Sequence, residues 1–135
     1  MKIIFVTGNQ GKFDEASQII PELEKQDVDL LEIQGIDPKP IIVHKLEESK
    51  KVLAVNLVVE DSSLYIDALG GLPGPLIKWF MKTTGNDGLA KITSSFENTK
   101  AVAKVMIGLS KEDGVVEYFE GSIVGEIVAP RGKNG

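Results

Sequence analysis

Ile3-Ile4-Phe5-Val6-Thr7-Gly8-Asn9-Gln10-Gly11-Lys12 is the stretch that sets the fold class. Four apolar, mostly β-branched residues closed by Thr-Gly-Asn mark a buried strand that ends in a loop. Residues 12–20 then carry Phe13, Ala16, Ile19 and Ile20 at helical spacing, and Pro21 ends or kinks that helix. A strand passing through a glycine-bearing loop into a helix is the opening of an α/β unit.

Outward from there, residues 28–33 predict a second strand, and residues 34–40, with Gly35, Pro38 and Pro40, a loop. Residues 43–55 predict a second helix with Leu46, Val52, Leu53 and Val55 on its apolar side. Leu57-Val58-Val59 predicts a further buried strand that stops at Glu60-Asp61-Ser62-Ser63, with Leu64-Tyr65-Ile66 continuing extended. A Gly/Pro loop over residues 70–75 leads to short helices at 76–82 and 87–93. Residues 101–109, 115–119 and 122–128 read as three antiparallel strands, the first two joined by the turn Lys111-Glu112-Asp113-Gly114. The expected fold is therefore α/β: a mixed central β-sheet with flanking helices and a C-terminal antiparallel meander, in one domain over residues 1–135.

The bulk properties narrow the function classes. The 135 residues are 42% hydrophobic and 26% charged, an ordinary globular balance with enough chain for a sizeable core. A net charge of −5 argues against a nucleic acid polymer as partner, since that binding relies on Lys and Arg neutralising phosphates. The absence of cysteine excludes disulfides and thiolate metal sites. No apolar run reaches the 18 residues of a membrane span, so a cytoplasmic chain is expected.

Two segments carry candidate chemistry. In Thr7, Gly8, Asn9, Gln10, Gly11 and Lys12 the glycines permit close backbone approach, and the helix N-terminus offers free N–H groups to a phosphate. Equally, the segment reads as a plain strand-to-helix turn with Asn9 as the cap. It is not a Walker loop, because only two residues separate Gly8 from Gly11 and Phe13 follows the lysine. In Glu60-Asp61-Ser62-Ser63, at the carboxyl end of a strand, paired carboxylates suit Mg²⁺ or a general base, or else form a charged strand end facing solvent. Glu32 ends the second expected strand and converges on the same edge. Lys45 and Lys78 fall near the starts of their expected helices, the wrong end for the dipole, so each is neutral surface or is held there to meet an anion. His44 has no second His or Cys to share a metal with and reads as surface. Lys50-Lys51 reads as a solvated helix face, and of Trp79 and Phe80 at least one belongs to the core.

Together these segments resemble the inosine triphosphate pyrophosphatase family, the Ham-type enzymes that cleave noncanonical purine nucleoside triphosphates to monophosphate and pyrophosphate. The resemblance rests on Phe5-Val6-Thr7-Gly8-Asn9 with Lys12, on Glu32-Ile33-Gln34-Gly35 and on Val59-Glu60-Asp61-Ser62. It continues through Ala68-Leu69-Gly70-Gly71-Leu72-Pro73-Gly74-Pro75, Ile77-Lys78-Trp79-Phe80, Gly125 and Ile127-Val128-Ala129-Pro130-Arg131-Gly132. It implies hydrolysis of ITP, dITP and XTP, Mg²⁺ as cofactor and a homodimer. By the same resemblance Thr7, Gly8, Asn9, Gln10, Gly11 and Lys12 hold the triphosphate, and Lys45 and Lys78 face phosphate. Ser62 contacts substrate, Glu32 binds metal, and Asp61 is a second metal carboxylate or the base that activates water. The segment around 37–40 is one residue longer than in the family, which leaves His44 as the alternative to Lys45.

The family continues past the Ala-Pro-Arg-Gly loop into a Phe-Gly-Trp-Asp-Pro type segment, a later lysine and a Ser-His-Arg motif that line the base pocket. These residues lie outside the 135 of this chain, so the resemblance implies that the C-terminal part of the family fold is missing and that apolar surface is left bare. The alternative function is a non-catalytic nucleotide-binding or interaction module that keeps the phosphate loop without the base clamp.

Overall fold

β1 (Ile3–Val6) is buried along its whole length, as a strand with neighbours on both edges and helices on both faces must be. The computed structural model describes residues 2–53 and 55–131. β2 (Leu23–Gln26) and β3 (Asn56–Ile66) both pair with β1 in parallel, Ile3 standing opposite Leu23 on one side and Asn56 on the other. The chain thus runs from β1 out to one edge and then crosses back past β1 to its other side. α1 (Gln10–Ile19) covers one face, where Ile3, Phe5 and Leu23 pack with Phe13, Ala16, Ile20 and Val58. α2 (Pro38–Val52) covers the opposite face, where Ile42 and Leu46 pack on Ile4, Val6, Leu57 and Val59.

The whole sheet has the order β2-β1-β3-β5-β6, with β4 (Pro73–Gly74) pairing antiparallel to β3 off this path. β5 (Lys100–Ser110) and β6 (Val116–Glu126) form a long hairpin. Its turn is the expected one: Lys111 N–H donates to Val115 O at 2.9 Å, and Gly114, at φ 89°, donates to Lys111 O at 3.0 Å. The result is the mixed sheet with flanking helices that the sequence predicts.

The chain divides into two compact units, and β3, β5 and β6 run from one into the other. The first comprises Met1–Ile33, Lys39–Asp61 and Met106–Glu120. The second comprises Gln34–Pro38, Ser62–Val105 and Gly121–Gly135. In the second unit, Ile66, Leu89 and Ala101 form a core under α3 (Ile77–Thr83) and α4 (Gly85–Ser95). Phe80 packs against that core, while Trp79 is exposed and donates its indole N–H to Gln34 Oε1 at 2.9 Å. Among the described residues no helix is long and apolar enough to cross a membrane.

Several element boundaries differ from expectation. The second strand is not 28–33 but Leu23–Gln26, an edge strand with only Leu23 buried, so its Glu-Lys-Gln remainder carries no apolar signal. Val28 and Leu30 pack against the α2-side core without forming a strand. α2 begins at Pro38 rather than 43, since prolines in a first turn forfeit no hydrogen bond, and it ends at Val52, before Val55; Ala54 lies outside the described residues. Lys45 consequently stands mid-helix, not near the start. Ile19 is exposed although its predicted stripe partners are packed. β3 does not stop at Glu60 but runs unbroken to Ile66. The three C-terminal strands are two, because Val116–Glu126 is continuous through Gly121, and the meander is this hairpin. Ala129, Pro130 and Arg131 have no regular structure, as expected, and residues 132–135 lie outside the described residues.

Candidate active site

Because strand order reverses at β1, the carboxyl ends of β1, β2 and β3 border the crevice in which open α/β sheets bind ligands. Thr7 leaves β1 there, its N–H donating to Gln26 O at 3.1 Å and its hydroxyl accepting from Asn9 N–H at 3.0 Å. Asn9 is the N-cap of α1, its Oδ1 accepting from Lys12 N–H at 3.0 Å. The turn-and-cap reading of this loop is therefore correct. It leaves the loop no less suited to phosphate, because capping satisfies one N–H of the first turn and leaves the others.

β3 outruns β1, so Glu60 stands beyond β1, two residues past Val58, which pairs with Phe5. Strand alternation sends the two neighbouring carboxylates to opposite faces, Glu60 with Val58 toward α1 and Asp61 with Val59 toward α2. Each helix supplies a lysine. Lys12 of α1 forms an ion pair and hydrogen bond with Glu60 Oε1. Lys45 of α2 donates to Glu60 O at 2.9 Å and pairs with Glu32 Oε1 at 3.3 Å. Five residues far apart in sequence, Lys12, Glu32, Lys45, Glu60 and Asp61, thus meet in one charged cluster within the first unit.

Asp61 is the anomalous member. Its Oδ2 is buried and has no hydrogen-bond partner among the described residues. Burial pushes its carboxyl up from 3.8 to about 6; Lys45 and Lys12 oppose the rise, while Glu60 and Glu32 add to it. A partly buried acid with a pKa raised to about 6 within a strand-end crevice has the character of a general base or a metal ligand.

Other expectations fare differently. The Gln10 side-chain amide donates to Asp14 Oδ1 at 2.7 Å and accepts from Lys25 Nζ at 3.1 Å. Gly11 lies beside its own cap, since a β-carbon there would stand 3.3 Å from Asn9 Oδ1. His44 pairs along the helix with Glu48 at 3.7 Å, so Lys45 is the residue the crevice receives. Lys51 also pairs with Glu48, at 2.8 Å, on the solvated face expected of it. Ser62 and Lys78 belong to the second unit, Lys78 exposed on α3 with its ammonium 5.0 Å from the Trp79 ring.

One acid escaped the sequence reading. The carboxylate of Asp27 lies against Gly8, with oxygens 3.1 and 3.2 Å from where a β-carbon would stand. The signal was available only with the right second strand, because Asp27 is the first residue beyond Gln26 and so belongs to the same sheet edge as Thr7.

The donor set fits a hard cation. Carboxylate oxygens are the ligands Mg²⁺ prefers, and Asp61 offers one that is buried and unpartnered. Among the described residues no three His, Cys, Asp or Glu side chains group to hold a metal alone. Further oxygens would come from phosphate and water, the common habit of Mg²⁺.

A parallel α/β crevice with a capped glycine loop, two helix lysines and a half-buried acid defines the class of α/β anion-handling proteins. Within it, the chain belongs to the Ham1 family, whose model matches residues 3–135. It is 38% identical over 137 residues to an inosine triphosphate pyrophosphatase of Schizosaccharomyces pombe, covering 98% of this chain and 72% of that protein. It is 37% identical over 140 residues to a dITP/XTP pyrophosphatase of Methanopyrus kandleri, covering 100% and 74%. Among solved structures, a nucleoside-triphosphatase, or dITP/XTP pyrophosphatase, of Mycobacterium abscessus superposes with a TM-score of 0.76 at 25% identity, over 100% of this chain and 79% of that one. The Ham1 protein of Staphylococcus aureus shares the fold at a TM-score of 0.78 and 24% identity, over 100% and 77%.

Proposed function

We propose that this chain hydrolyses noncanonical purine nucleoside triphosphates, ITP, dITP and XTP, to the monophosphate and pyrophosphate. The observation that carries the reading is the buried, unpartnered Asp61 oxygen beside two helix lysines, in a chain of the Ham1 family. The Thr7–Lys12 loop receives the phosphates, Gly8 and Gly11 letting them approach the backbone at the start of α1 and the Lys12 ammonium adding a positive charge. Lys45 draws charge from the opposite helix. Asp61, ionised at neutral pH with a pKa of about 6, accepts the proton of the attacking water. The water oxygen forms a bond to phosphorus as the bridge between the α and β phosphates breaks, and pyrophosphate leaves with the bridging electrons. Glu32 and Asp61 are the carboxylates that would hold Mg²⁺, which supplies neutralisation of phosphate charge when bound. Ser62 and Lys78 contribute substrate contacts by family resemblance, and Gln10 serves the loop through Asp14 and Lys25.

The protein is further proposed to act in the cytoplasm as a homodimer. Support for self-association is the exposed apolar side chains of the edge strand β6, among them Phe119 and Ile123. Pyrophosphate release from ITP, with ATP as control and with and without Mg²⁺, tests the activity. Mg²⁺-dependent release favouring ITP and abolished by Asp61→Asn is expected. Binding of ITP by the folded chain without release from any of the three substrates would overturn the enzyme reading in favour of a binding module.

A further inference from the structure

We infer that Asp27 is a selectivity residue of the phosphate loop, excluding polyphosphates that arrive without a divalent cation. This rests on the proposed function, because it takes the Thr7–Lys12 loop as the phosphate site. The geometry is specific to Gly8. Its α-carbon faces the Asp27 carboxylate, whose three terminal atoms stand 3.1 to 3.3 Å from the missing β-carbon position. The glycine that lets a phosphate approach the backbone therefore has an acid already standing beside it. Asp27 is exposed, so it is not placed there by a need for burial. It follows directly on β2, whose last residue, Gln26, is tied to the loop by the Thr7 N–H bond of 3.1 Å. That backbone anchor holds the carboxylate near the loop.

The charges around the crevice give the acid its consequence. Asp27, Glu32, Glu60 and Asp61 are set against Lys12 and Lys45. Both crevice lysines are committed to carboxylates or to a strand carbonyl. A bare triphosphate, with about four negative charges, meets a site whose acids outnumber its bases, and like charges at this range repel. The same triphosphate carrying a divalent cation presents about half that charge and offers the acids a counter-charge. Asp27 lies against Gly8, where a phosphate would approach the backbone, and so sets the difference between the two forms. Removing its charge relieves the bare anion most.

The test titrates inorganic triphosphate into the full chain by calorimetry, in EDTA and in excess Mg²⁺ at low ionic strength. Asp27→Asn is expected to bind the metal-free anion about three- to tenfold more tightly than the parent, with less than twofold change for the Mg²⁺ complex. The gain shrinks toward unity at 1 M salt, where screening acts over about 3 Å. Asp27→Glu, which keeps the charge, restores the parent preference. Equal metal-free affinities of parent and Asp27→Asn, including both falling below detection, overturn the inference. So does a loss of affinity for the Mg²⁺ complex, which makes Asp27 a cation ligand. Lys12→Gln separates the two levels of the argument: if it weakens neither form, the loop is not the phosphate site and the functional reading falls along with the inference. If it weakens both while Asp27→Asn changes nothing, only the inference falls.

Discussion

Replacing Asp61 with Asn isolates the energetic strain of burying an acid. The carboxyl is raised from 3.8 to about 6, chiefly by burial, so the folded state holds this proton more tightly than the unfolded chain. The sign follows: this group favours folding below about pH 4, and that advantage is lost as pH rises toward 6. Roughly two pKa units at about 1.4 kcal/mol each give a ceiling near 3 kcal/mol. Water reaches part of the side chain, and discounting for that screening leaves about 1.5 kcal/mol. Asn has nearly the same shape and no charge. In EDTA, the stability of Asp61→Asn relative to the parent is therefore expected to improve by about 1.5 kcal/mol between pH 4.5 and pH 8, a few degrees in melting temperature. Urea denaturation of both proteins at several pH values measures it, and the difference cancels the titration of the other carboxylates. Pyrophosphate release by the same variant should fall by a factor of about 100 or more, since the proton acceptor is gone. A stability difference that is flat with pH, or that runs the other way, would refute the reasoning and mean that an unprotonated Asp61 is well partnered in the folded protein.

Two further outcomes test the scaffold and the crevice. Gly108→Ala places a β-carbon 2.8 Å from Ile42 Cγ2 and Leu46 Cδ1, where α2 lies on β5, and overpacking there should cost about 1–3 kcal/mol by chemical denaturation. Unchanged stability would mean that α2 shifts freely on the sheet. Lys45→Gln removes the cation that meets Glu60 O and Glu32, and should weaken ITP turnover at least tenfold while raising the apparent pKa of the acidic limb of the pH–rate profile, because Lys45 opposes the rise at Asp61. A profile shifted to lower pH would contradict that role.

The sequence made the parallel core legible because its strands are apolar on both faces: residues 3–6 and 57–59 need no context to be seen as buried strands. The Asn9 cap, the Lys111–Gly114 turn and the break at Pro21 were legible for the same reason, since each is local chemistry. β2 was not. An edge strand of Leu-Glu-Lys-Gln pairs through its backbone, and only tertiary pairing with Ile3 reveals it. Asp27 was lost with it. The extension of β3 through Glu60 and Asp61 was hidden because polar residues inside a strand look like its end, whereas here they are the part that projects past β1.

That projection is what makes the crevice chemically useful. Had β3 stopped level with β1, Glu60 and Asp61 would have followed in a loop, free to turn to the same side. Held in a strand, they are forced to opposite faces, and the reversal of strand order places a different helix on each. Lys12 engages the acid on its own side, leaving Asp61 with a buried oxygen and a raised pKa on the other. Two adjacent carboxylates thus acquire different environments from strand geometry alone: one is locked in an ion pair, the other is poised to take a proton or a cation. The two acids nonetheless share Lys12, which pairs with Glu60 and opposes the rise at Asp61. In Lys12→Gln, Glu60 loses its ion pair and Asp61 loses a charge that opposes its rise, so the Asp61 carboxyl should titrate higher, which ¹³C-carboxyl NMR of that side chain would register as a raised midpoint. An Asp61 midpoint unchanged from the parent would show that burial, and not the lysine, sets this acid.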